Sequence, residues 1–328
     1  MRTLLSLLLV TALSTPALAD TLIVANKYEG TVSFIDLESG EEVARPETGP
    51  SPHEVAVSPD GTMVVVVSYL EDGYIGRELN VFDVATASLI ETIDIDPHLA
   101  PHGIAWLGDS DAVIVTTEET RDVIRVEVGE GEVTGSVATD QIGSHLLALS
   151  PDSSIAYVTS RGSNTISVIE TGPMTLLETV AANEGPEGVF VSPDGAELWV
   201  GNNQSENIII FDTVDMSRVE TLDVGFLPIR VRFSPDGDMV AVADLRGDRV
   251  VIIDPESRQE IAAIDLEPVG AIAPASLLFA PDGSMLYAGA QDAARVVEID
   301  TSDWSITRVF NAGEGSDGLE ISPITVQR

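Results

Sequence analysis

Seven related strings, each a short apolar run closed by a Ser-Pro-Asp-Gly-like turn, dictate what this chain can become. HEVAVSPDG starts at His53, HLLALSPDS at His145, EGVFVSPDG at Glu187, IRVRFSPDG at Ile229 and ASLLFAPDG at Ala275. HGIAWLGDS at His102 and DGLEISPIT at Asp317 are degenerate copies. The turns open at Ser58, Leu107, Ser150, Ser192, Ser234, Ala280 and Ser322, with spacings of 49, 43, 42, 42, 46 and 42 residues. A unit repeated at this period cannot bury its apolar face alone and must stack on its neighbours.

Each unit has the same internal order. An apolar strand runs into the Pro-Asp-Gly turn, where Pro suits the first central position and Gly the strained backbone. A second strand follows, as in ELWVGNN from Glu197, then a third ending in Asp, as in NIIIFD from Asn207, then a fourth, as in RVETLDV from Arg218. The runs are rich in Val and Ile and bounded by Gly, Asn and Asp, and no long helical period competes. Four short antiparallel strands per repeat make a propeller blade, so the expected fold is an all-β, seven-bladed β-propeller. The chain begins in a second strand (TLIVANK) and stops just after a first one (Asp317 to Ser322), so one blade is split and the ring closes on it. An open β-solenoid is the alternative.

Three further features bound the function. Residues 1–19 read as a secretory leader: Arg2, an apolar stretch from Leu4 to Leu13, and Ala17-Leu18-Ala19 before Asp20. A periplasmic or secreted protein beginning at Asp20 is expected, with 20–328 as one propeller domain; a buried N-terminal helix is the alternative. No stretch is long enough to span a bilayer. Acidic residues number 54 against 16 basic, a net charge of -38, which excludes a nucleic-acid footprint and disfavours anionic membranes. The chain has no cysteine, which removes disulfides, thiolate metal sites and a cysteine nucleophile.

The strings LIVANKYEGTVSFID from Leu22, YVTSRGSNTISVIE from Tyr157 and LWVGNNQSENIIIFD from Leu198, joined to the SPDG turn, resemble the YVTN-type β-propeller repeat family. Proteins of similar type include extracytoplasmic binding propellers, companions of quinone-dependent alcohol oxidation, and seven-bladed sugar lactonases. The resemblance implies the architecture and leaves the function open.

Candidate site residues come from aligning the repeats. The position that begins each innermost strand reads, from the split blade round, Asp317, His53, His102, His145, Glu187, Ile229, Ala275. Three of four histidines share one equivalent position, bracketed by carboxylates, at the expected rim of the central channel. That donor set suits a divalent transition metal such as Zn or Cu; the alternative is a polar, water-filled rim. His98, in the stretch 97–101, is placed to lean over the same rim. A second group is basic: Lys27, Arg77, Arg121, Arg161, Arg246, Arg249 and Arg295 fall between second and third strands, with Arg230 and Arg232 in an innermost strand. Of these, Arg77, Arg161, Arg230, Arg232 and Arg246 are the candidate binders of a carboxylate or an acidic partner. The alternative is that they neutralise nearby acids such as Glu118, Glu119, Asp122 and Asp248. Departures from the regular period at 70–77, 97–101 and 268–274 place longer loops on one face, the expected binding face. Asp60, Asp152, Asp194, Asp236 and Asp282 belong to the repeated turn and are not catalytic candidates.

The leading functional expectation is a non-enzymatic, exported binding module for a small molecule or a periplasmic or extracellular protein, with a monomer favoured. The alternatives are a lactonase-like hydrolase, in which a metal at the three histidines activates water and Glu187 is the general base, and an accessory to a periplasmic quinone-dependent oxidation system.

Overall fold

The computed structural model describes residues 20–328 apart from Asp72 and Asp109. Seven four-stranded antiparallel sheets stand in a ring, with almost no helix. The innermost strands, in ring order, are Ser316–Ser322 (blade 1), Pro52–Val57 (blade 2), Pro101–Trp106 (blade 3), Ser144–Leu149 (blade 4), Pro186–Val191 (blade 5), Pro228–Phe233 (blade 6) and Pro274–Phe279 (blade 7). Blade 1 is split as the repeat count requires: Ser316–Ser322 pairs with Thr21–Asn26, with Thr21 opposite Ser322. The tail then straps the closure. Val326 N–H donates to Thr21 Oγ1 at 2.9 Å, and Gln327 N–H reaches Ala85 O in blade 2 at 2.7 Å.

The core is not one mass but seven clusters, one between each pair of neighbouring blades. Phe34 of blade 1 meets Phe82 of blade 2, and Trp199 of blade 5 meets Phe233 of blade 6. Burial of both faces of every sheet explains why the second and third strands are continuous apolar runs. The recurring turn is held by its own side chains. Ser58 Oγ donates to Asp60 Oδ1 at 2.7 Å and accepts Met63 N–H at 3.0 Å, and the serine–aspartate bond repeats at Ser150, Ser192 and Ser234. The repeated aspartates are therefore structural, as expected.

Two local devices shape the channel. In every blade the pairing of first and second strands slips just after the first residue of the innermost strand, at the position of Asp317, His53, His102, His145, Glu187, Ile229 and Ala275; in blade 2, Pro52 faces Ser68 and pairing resumes at Val55–Val66. Such a bulge frees that residue from the regular pleat and re-aims its side chain. The next position is glycine in blades 1, 3 and 5. A Cβ on Gly318 would lie 2.3 Å from His53 O, so neighbouring innermost strands approach this closely only because no side chain stands there.

Candidate active site

The seven bulged residues all line one cavity of about 580 Å³ at the upper mouth of the channel. A second ring surrounds them: one equivalent position, just past the second strand in six blades and inside the longer second strand Met63–Glu71 of blade 2, reads Lys27, Tyr69, Glu118, Arg161, Asn203, Leu245 and Gln291 round the blades. Six of these line the cavity, and Glu118 is bonded to two groups that do. Blades 1 to 5 make a polar sector, whereas Ile229, Ala275, Leu227 and Leu245 make an apolar wall opposite.

The three histidines come together, and they are buried rather than wet: His53 is 5%, His102 2% and His145 3% exposed. Their rings are in contact, tilted for His102–His145 and edge-on for His53–His102. The His102 ring centre lies 3.6 Å from that of His145 and 4.3 Å from that of His53, with Tyr69 4.6 Å from His102. His145 uses both nitrogens, Nδ1 with Glu118 Oε2 at 2.7 Å and Nε2 with Glu187 Oε1 at 3.2 Å. Burial opposes its charge, but the two carboxylate hydrogen bonds outweigh it and raise its pKa above the ordinary value. Its charged form is therefore favoured between the two carboxylates, although Arg161 Nη1, 3.2 Å from Nε2, opposes it. His102 is the opposite case. Burial, then the charges of His145 and His53, push its pKa well below 6.5, and neither ring nitrogen has a hydrogen-bond partner. Burial and the nearby Lys27 ammonium likewise keep His53 neutral; its Nε2 lies 3.3 Å from Lys27 Nζ and its Nδ1 is unpartnered.

The carboxylates are held in place. Glu187 bonds Asn203 Nδ2 and lies 3.3 Å from Arg161 Nε. Burial would raise its pKa, but His145, then Arg161 and Arg230, keep it below the glutamate range. Glu118 accepts from Tyr69 Oη at 2.8 Å as well as from His145, and is lowered in the same way against burial. Under this layer Arg230 crosses the bore: Nη2 donates to Glu54 Oε1 at 2.7 Å, with Asp317 Oδ1 at 3.8 Å. Asp317 also faces Lys27 Nζ at 3.6 Å.

Several expected residues lie elsewhere. His98 does not reach the rim; its Nδ1 bonds Asp122 on the third strand of blade 3. Arg77 is outside the cavity, near Asp94 and Asp96 at 3.7 and 3.9 Å. Arg249 pairs with Asp244, and Arg295 caps Val269 O, so both serve local structure. Arg161 and the exposed Arg246 line the cavity, Arg230 is spent on Glu54, and Arg232 lies one level lower in the bore. None of the described residues at 70–77, 97–101 and 268–274 lines the cavity, so the long loops do not mark it. Tyr69, Glu54 and Asn203 were missed from the sequence. Aligning the repeats at the position eleven residues after each turn's first residue, Ser58 and Ser192 here, finds Tyr69 and Asn203.

A transition metal at His53, His102 and His145 does not fit these side chains as placed. Both nitrogens of His145 are engaged by carboxylates, and among the described residues no group of three His, Asp or Glu side chains has the geometry to hold an ion.

The family model for lactonases with a seven-bladed β-propeller matches residues 19–222. This chain belongs to that lactonase propeller family. No curated protein matches it. Among solved structures, hydrazine synthase from Kuenenia stuttgartiensis superposes with a TM-score of 0.75 at 19% identity, over 90% of this chain and 99% of that one. A candidate 6-phosphogluconolactonase from Bacteroides uniformis gives 0.74 at 18%, over 92% and 99%. At such identities the likeness of this lactonase-family propeller to both is one of fold.

Proposed function

We propose that this protein hydrolyses small lactones or esters carrying a negative charge, in the upper cavity and with its own side chains as catalysts. The observation that carries the reading is His102: a neutral, buried imidazole with both nitrogens unengaged, lining a cavity flanked by Lys27 and Arg161. A neutral imidazole can take a proton from water as its oxygen attacks the carbonyl carbon. The Arg161 guanidinium, anchored by Glu187, is placed to stabilise the negative charge that develops on the carbonyl oxygen. The His102 imidazolium then returns the proton to the departing ring oxygen. Burial, then the neighbouring His145 and His53, keep His102 unprotonated between turnovers, and Glu118 and Glu187 hold His145. The earlier candidate base, Glu187, is instead a positioning group, because its two oxygens are spent on His145, Asn203 and Arg161. Lys27, Arg161 and Arg246 make the mouth attractive to an anion on a chain whose net charge is -38. The family membership supports lactone chemistry, and the cavity volume suits a small ligand.

A binding module remains the second reading, favoured by the closed Glu118–His145–Glu187 network, which is already satisfied without any ligand. A panel of five- and six-membered lactones, with and without a carboxylate, separates the two. Hydrolysis in the wild type should fall by about 100-fold or more in His102→Gln, the usual worth of a general acid–base group. Binding of carboxylated compounds without turnover would leave the binding module. On the sequence alone we propose YVTN-type repeats and export to the periplasm or medium; the leader at 1–19 lies outside the described residues.

A further inference from the structure

The opposite mouth of the channel is built differently from the upper one. A chamber of about 410 Å³ there is walled by Phe190, Phe233, Phe279, Leu149 and Leu278. Its chemistry follows from one repeat position, three residues after the bulged one, which reads Glu320, Ala56, Ala105, Ala148, Phe190, Arg232 and Leu278 from blade 1 round to blade 7. The three alanines leave one side of the bore without bulk, while blades 5 to 7 supply an aromatic ring, a guanidinium and an isobutyl group. The Arg232 guanidinium lies 4.9 Å from the centre of the Phe190 ring, and its Nε is bonded to Leu277 O at 3.2 Å. Among the described residues no carboxylate lies within ion-pair distance of it, although this protein carries 54 acidic residues. Glu320 and Glu54 act on it only at a distance, and a partly buried cation with no carboxylate in contact is costly unless an anion completes it. The Arg230–Glu54 bridge crosses the bore above this chamber, so the two mouths do not share a ligand.

We propose that the lower mouth is a second binding site, for a small amphipathic carboxylate whose apolar body packs on Phe190, Phe233 and Leu278 and whose carboxylate forks onto Arg232. The planar guanidinium, stacked and partly fixed by Leu277 O, presents its remaining N–H groups in the geometry that a carboxylate takes up. Glu320, at the same level, tunes the site. Burial pushes its carboxyl up to about 7, with Arg232 opposing and Glu54 on blade 2 adding to the rise; no other side chain lining the chamber titrates. When protonated it donates a hydrogen bond to the incoming carboxylate, and when ionised it repels it.

Isothermal titration of the mature protein with 2-naphthoate, and with the neutral 2-naphthylmethanol, tests this at about pH 6. One saturable 2-naphthoate site per chain is expected. Arg232→Gln should weaken 2-naphthoate by about tenfold or more and leave the alcohol unchanged, because only the charged hydrogen bond is lost. Leu278→Trp, which fills the chamber and keeps the charge, should abolish both, and His102→Gln in the upper cavity should change neither. Going to about pH 8 should weaken 2-naphthoate in the wild type but not in Glu320→Gln. Absence of saturable binding, wild-type affinity in Arg232→Gln, or loss of binding in His102→Gln would overturn the proposal.

Discussion

Replacing Glu54 by Leu would strand the charge that crosses the channel. Arg230 and Glu54 are both buried, and the guanidinium has three neighbours: Glu54 Oε1 at 2.7 Å, Ala275 O at 3.1 Å and Asp317 Oδ1 at 3.8 Å. Breaking one side of such a pair costs about 3–5 kcal/mol, because the remaining ion loses its compensation but not its burial. Asp317 stays within reach, so the lower end applies, about 3 kcal/mol. For a chain of this size that is roughly a 6 °C fall in melting temperature. The double variant Arg230→Met with Glu54→Leu removes both ions and leaves apolar side chains of similar bulk; most of the loss should return, as for buried pairs replaced together. Calorimetry on the four proteins of the cycle reads the result. A single variant melting within about 1 °C of wild type, or a double variant no better than the single, would show that the bridge is not the buried, mutually dependent pair described.

Other outcomes follow from the same geometry. His145 is raised above its unfolded 6.5, so its stabilisation is complete below that pH and is lost as pH rises through the folded value; the melting gap between wild type and His145→Gln should be widest at about pH 5.5 and shrink with rising pH, and a gap that widens would contradict the raised pKa. Gly318→Ala sets a Cβ 2.3 Å from His53 O and should lower stability by about 1–3 kcal/mol or more by denaturant unfolding, with no loss if the innermost strands can part freely. Deleting residues from Asp317 onward opens two strand edges and should give aggregated protein on size-exclusion chromatography; a monomer with an unchanged melt would disprove closure through blade 1. With His145 committed to two carboxylates, added Zn²⁺ or Cu²⁺ should leave the wild-type melting temperature unmoved, and a rise that vanishes in the triple alanine variant of His53, His102 and His145 would restore a metal centre.

The seven-fold repeat, its strand order and the split blade were legible in the chain because each depends on local pattern: alternating turn residues and Val- and Ile-rich runs at a constant spacing. The equivalence of His53, His102 and His145 was legible for the same reason, since a repeat converts sequence position into spatial position. What those histidines do was not. Their protonation depends on burial and on Lys27, Glu118, Arg161 and Glu187, which belong to different blades and meet only where the ring brings second-strand ends against first-strand starts. The long loops misled because length measures tolerance at the surface, whereas the cavity is made by a one-residue bulge that leaves no trace in spacing. The two arginines of blade 6 separate most clearly. They stand two residues apart in one strand, Arg230 neutralised by Glu54 from across the ring and Arg232, one level down, with no carboxylate in contact. Ring closure decides that difference: distance along the bore sets the partner, and only the assembled blades set that distance.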